Sequence, residues 1–254
     1  MWNWKFWRRE KAGLPAIRED WERCDPNAIP EPIKPREWSP LEVGVKIYVA
    51  TDVHRARRTA ESVMAVQQQL KEQFGKDFPN TTVLMSVETF QDSCRHSTPW
   101  SADPHDISGS STRWHCYQTA TQFNEAFRDL RVSDGQKANI VIMIGDRFDD
   151  NVAATVKQIE DLRAEKGTRV FAIPTTSNEA VKKKYEAVAQ AGGGLSVPLL
   201  TDMRGQQQEL QGLMVEITRS MVFGTSGKNA DALPAPETKQ IADLREHLKA
   251  LNND

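Results

Sequence analysis

From Leu41 onward the chain alternates two hydrophobic patterns. Short, nearly unbroken apolar runs rich in β-branched residues predict strands at "VGVKIYVAT" from Val43, "TTVLMSVETF" from Thr81, "ANIVIMIGD" from Ala138 and "TRVFAIPT" from Thr168. A further short strand is expected in "GLSVPLL". Apolar residues at three- and four-residue spacing predict helices between them. The first is "RTAESVMAVQQQLKEQF", with Val63, Val66, Leu70 and Phe74 on one stripe. The others are "TATQFNEAFRDL", "NVAATVKQIEDLRAEKG", "SNEAVKKKYEAVAQAGG", "QQQELQGLMVEITRSMVF" and "PAPETKQIADLREHLKAL". Gly167 is expected just past a helix end, where a left-handed residue closes the last turn. The stretch from Gln91 to Cys116 shows neither period and reads as a long irregular loop, a kind that is often functional.

Regular alternation of strand and helix implies an α/β fold: three layers, doubly wound, with a mainly parallel sheet and helices on both faces. In such sheets ligands bind beyond the carboxyl ends of the strands. Two predicted strands end on a carboxylate there, at Asp52 and Asp146. Residues 1–40 differ: they hold Trp2, Trp4, Trp7, Trp21 and Trp38 and a proline-rich run, "DPNAIPEPIKPREWSP". The expected organisation is a Trp/Pro-rich arm over 1–40, an α/β domain over 41–224, and a linker with a C-terminal helix over 225–254.

A net charge of −2 argues against nucleic acid as a partner, since that class usually carries a basic domain. Three scattered cysteines, Cys24, Cys94 and Cys116, suit a reduced compartment better than a disulfide framework. No apolar run nears the roughly 20 residues that span a bilayer, and no secretory h-region follows the first charges, so a cytoplasmic protein is expected. Cys94, His96, His115 and Cys116 invite a zinc reading, but their spacing is not that of a finger and an ordered loop is the simpler expectation.

From Val43 to about Leu200 the sequence resembles a von Willebrand factor A domain. The resemblance rests on "IYVATDVHRARRTAESVMAVQQQL", "TTVLMSVETFQD", "TQFNEAFRDL" with "IVIMIGDRFDDN", and "GTRVFAIPTT" with "YEAVAQAGGG". It implies a metal-ion-dependent adhesion site, built from Asp-x-Ser-x-Ser after the first strand, a Thr from the next loop and an Asp after the fourth strand. Asp52, Thr121 and Asp146 match the two acids and the Thr, whereas the serine positions hold His54 and Ala56. The site therefore departs from an all-oxygen shell of the kind magnesium prefers. Two readings stay open: magnesium on Asp52, Thr121, Asp146 and waters, or no cofactor, with an arginine of the basic turn filling the cation's place.

The resemblance implies a non-catalytic intracellular interaction module, an adaptor or scaffold with protein partners and a degenerate metal site. His54, Arg55, Arg57 and Arg58 would form a docking patch for an acidic partner or a phosphate. Trp2, Trp4 and Trp7 would anchor a partner or a second copy of the chain, tryptophan being a typical interface anchor. Aromatic and basic residues together also suit a membrane interface, but the prolines downstream disfavour it. Asp149 and Asp150 read as a solvated helix start. One alternative is a magnesium-dependent phosphatase of the haloacid-dehalogenase type, because "IMIGDRFDDN" resembles its last motif. That enzyme class needs a second acid where this chain has His54. A structural subunit of a large assembly is the other alternative.

Overall fold

The computed structural model describes residues 42–50, 53–77, 81–91, 94–103, 105–106, 121, 123–132, 138–199, 206–225 and 238–253. Trp2, Trp4, Trp7, Asp52, His115 and Cys116 lie outside the described residues, as do the side chains of His54, Arg55, Arg57, Cys94 and His96. The elements follow in the order β1 (Glu42–Ala50), α1 (Val53–Asp77), β2 (Thr82–Gln91), β3 (Cys94–Ser97), α2 (Phe123–Val132), β4 (Ile140–Gly145), α3 (Val152–Lys166), β5 (Arg169–Pro174), α4 (Glu179–Ala191), α5 (Gln206–Thr225) and α6 (Lys239–Asn253). Among the described residues no helix is long and apolar enough to cross a membrane.

The sheet order is β3-β2-β1-β4-β5. β1 pairs in parallel with both β2 and β4, and β4 with β5. The central strands are buried on both sides, so they read as continuous apolar runs, yet their alternate side chains separate cleanly. Val45, Ile47 and Val49 of β1, with Ile140, Ile142 and Ile144 of β4, join an aliphatic cluster capped by α1, α5 and α6. Tyr48 and Ala50, with Val141 and Met143, join a second cluster capped by α2, α3 and α4. The expected three layers are thus present.

Two features of the sheet edges differ from the sequence reading. The stretch read as an irregular loop contains β3, antiparallel to β2. Its residues, Cys-Arg-His-Ser, carry no apolar alternation; a buried polar network holds this edge instead. Lys46 Nζ donates to Ser97 Oγ at 2.7 Å and Ser86 Oγ at 3.1 Å, and pairs with Glu88 Oε2 at 3.0 Å. A buried ammonium is tolerable only when partnered in this way. At the other edge, the "GLSVPLL" segment adds one parallel bridge, Ala172 to Ser196. It continues through Val197 N–H to Ala172 O at 2.8 Å and Leu199 N–H to Pro174 O at 3.3 Å.

Helix ends follow local chemistry. Asn151 caps α3 by accepting from Ala154 N–H, and Asn178 caps α4 by accepting from Ala180 N–H. Gly167 takes φ 67°, the left-handed conformation expected for it, and its N–H donates to Arg163 O. The C-terminal helix α6 packs on α5, with Leu244 and Leu248 in the aliphatic cluster. There Arg245 meets Glu216 in a two-pronged buried ion pair, Nε to Oε1 at 2.6 Å and Nη2 to Oε2 at 2.8 Å.

Candidate functional site

β1 and β4 lie side by side and end level, Ala50 opposite Gly145. From β1 the chain runs to α1 and to β2 on one side of the sheet, while β5 lies on the other. The carboxyl ends of β1 and β4 are therefore the topological switch point, the place where open α/β sheets leave a crevice for ligands. The segment Asp146 to Asp150 leaves β4 here. Its geometry begins at Gly145, whose amide neighbourhood has no room for a side chain: a Cβ would collide with the Tyr185 hydroxyl and the Ala50 carbonyl.

A set of hydrogen bonds clamps this segment. Tyr185 Oη donates to Arg147 O at 2.9 Å, and Lys184 Nζ donates to Phe148 O at 2.7 Å, both from α4. Thr121, just before α2, ties it from the other side. The Thr121 hydroxyl oxygen accepts Asp149 N–H at 2.8 Å and Asp150 N–H at 3.2 Å. In return, Asp149 Oδ2 accepts Thr121 N–H at 3.2 Å, and Asp150 Oδ2 accepts Phe123 N–H at 2.6 Å. Phe148 turns inward beneath the clamp, its ring centroid 5.2 Å from Phe123 and 5.4 Å from Tyr185.

Asp149 is exposed and Asp150 partly buried, and each also bonds the start of α2. Asn151 does the capping of α3, which frees the two acids to face α2. Burial pushes the Asp150 carboxyl above its ordinary value, reinforced by the Asp149 charge and opposed by hydrogen bonds from Phe123, Thr121 and Asn124. Burial also pushes the Tyr185 phenol well above its ordinary 10.0, and the charges of Asp146, Asp149 and Asp150 add to that. Asp146 lies beside Arg147, whose Nε is 3.9 Å from Asp146 Oδ1.

Of the residues predicted from the sequence, Asp146 opens this segment, Thr121 ties its far end, and Arg58 is exposed on the second turn of α1. The residues that sequence reasoning overlooked are Arg147 and Tyr185. One signal was available: an isolated Phe148 between charged neighbours in "GDRFDDN" marks a loop with an inward face.

A divalent cation of the kind the resemblance implies takes its ligands as unshared oxygen lone pairs. A hydroxyl offers two lone pairs and one hydrogen. Both Thr121 lone pairs receive backbone N–H groups, and the hydroxyl also bonds the Asp150 carboxylate. Positions 54 and 56 supply an imidazole and a methyl. Thr121, so bonded, does not fit a magnesium ion as a ligand.

No protein-family model and no curated protein matches the chain at the level of sequence. Its fold does match solved structures. The VWA domain of SpRpn10 superposes with a TM-score of 0.51 at 9% identity, covering 68% of this chain and 95% of that one. The pilus adhesin SpaC from Lactobacillus rhamnosus GG, in its open conformation, gives 0.52 at 10% identity over 74% of this chain. The chain spans only 31% of that adhesin's length. The fold of this chain is that of the von Willebrand factor A domain.

Proposed function

We propose that the chain is a non-catalytic protein-interaction module, of the adaptor or scaffold kind, that takes an acidic surface of a partner protein at the carboxyl ends of β1 and β4. The observation that supports this most is the charge at the switch point. Arg147 is half-exposed on a segment held by hydrogen bonds from both α4 and the start of α2. Arg58 is exposed on α1, and His54, Arg55 and Arg57 stand on the same helix's opening turns. That helix has no acidic residue in its first turn. Guanidinium groups match a carboxylate in two-pronged geometry. In this reading Trp2, Trp4 and Trp7 supply a second contact, to a partner or to another copy of the chain, and the protein acts in the cytoplasm.

The phosphatase alternative lacks its second acid. The general acid–base position is His54 rather than an aspartate.

Quantitative affinity capture tests the reading. Wild type is compared with Arg58→Glu/Arg147→Glu and with Lys157→Glu, a reversal on the exposed face of α3. Partners lost only with the double reversal, and progressively with added salt, are the expected result. Equal capture by all three proteins would remove the switch point from the interface.

A further inference from the structure

We propose that the Thr121 clamp replaces the cation at this site, so that the switch-point loop is held in its binding geometry without any metal ion. The inference goes beyond the interaction reading and needs no partner to be true.

The argument is one of valence. A site organised by a cation leaves its oxygen ligands pointing at the ion, and the loops that bear them are joined through it. Here the loops before α2 and after β4 are joined directly. Four hydrogen bonds run between them: two into the Thr121 hydroxyl oxygen, one from Thr121 N–H to Asp149, and one from Phe123 N–H to Asp150. Thr121 is buried, so these part-buried bonds are partly shielded from competing water. At least one of the two N–H groups on its hydroxyl oxygen would have to be released before Thr121 could turn a lone pair to an ion. The clamp is also continuous with the core, since Phe123 begins α2 and packs on Phe90, Phe148 and Tyr185. Tyr185 in turn holds the Arg147 carbonyl. The backbone of Arg147 is thus fixed by the fold itself, and the positive charge at the mouth of the site is a guanidinium rather than a divalent ion.

Thermal melting of the full chain tests this without a binding partner. The wild type is melted in EDTA, then in buffer freed of metal, and then with millimolar magnesium or manganese. A ligand that binds only the folded state must raise the melting temperature by mass action. The expected result is no shift with either ion. Thr121→Val, which keeps the shape and removes the hydroxyl, is expected to melt several degrees lower in EDTA, and Thr121→Ser to recover most of the loss. A metal-induced rise in the wild type that disappears in Thr121→Val would overturn the proposal. So would a Thr121→Val protein that melts like the wild type in EDTA. The wild-type response alone decides the metal question if the valine variant does not fold. Loss of the interaction reading would leave all of these results unchanged.

Discussion

The two faces of the sheet are built from different materials. On one, α1, α5 and α6 meet Val, Ile, Leu and Met almost throughout, with Phe171 as the sole buried ring among the described residues. On the other, Tyr48, Phe90, Phe123, Phe127, Phe148 and Tyr185 form a connected set of rings with centroids 4.9–6.4 Å apart. Aliphatic packing is nearly indifferent to direction, whereas ring pairs prefer tilted and edge-on geometries, and tyrosines add a polar end. The aromatic face uses those ends. Tyr48 donates to Ala126 O and Tyr185 to Arg147 O, so this face fixes the start of α2 and the loop after β4. The candidate site hangs from the face that can specify orientation. The directional elements of the aliphatic face include the Glu216–Arg245 pair that sets α6 against α5.

The largest test of this contrast is Glu216→Ala. It leaves the Arg245 guanidinium buried without its carboxylate, which costs about 3–5 kcal/mol. Chemical denaturation reads this directly. If the pair only sets direction, Glu216→Leu with Arg245→Met restores most of the stability, because apolar packing replaces a buried ion pair at little loss. A double variant as unstable as the single one would mean that the aliphatic face depends on the charge itself.

A smaller effect is expected from Tyr185→Phe, which removes the hydroxyl from Arg147 O and costs about 1–3 kcal/mol. This variant also has a signature in pH. Tyr185 is neutral in both folded and unfolded chains below its ordinary value of 10.0, so it contributes no pH dependence there. Above that value the unfolded chain loses the proton while the folded chain keeps it, and stability falls as the pH rises further. Stability profiles of wild type and Tyr185→Phe should therefore run parallel below pH 10.0 and converge above it. Profiles that stay parallel throughout would show that the phenol is not held in the buried, acid-rich setting described.

Much of this architecture was legible in the sequence because burial on both sides writes a strand as an unbroken apolar run. "IVIMIG" and "RVFAIP" are such runs, and they form β4 and β5. Gly167 was legible because a helix stop needs only local geometry. β3 was not, since "CRHS" pairs with β2 through contacts set by Lys46, which lies far away in the chain. The site was half legible. Thr121 and Asp146 stood out by resemblance, but the partners of Thr121 are 28 and 29 residues distant. A local rule assigned Asp149 and Asp150 to the helix they precede, and the tertiary structure gives that role to Asn151. Asp52 and the Trp-rich arm lie outside the described residues.

The most direct test of the account is amide hydrogen exchange in EDTA at Thr121, Phe123, Asp149 and Asp150, the four residues whose N–H groups close the clamp. The account predicts slow exchange at all four without metal, unchanged by magnesium, and faster exchange at Asp149 and Asp150 in Thr121→Val. Fast exchange in EDTA that becomes slow only when magnesium is added would contradict it.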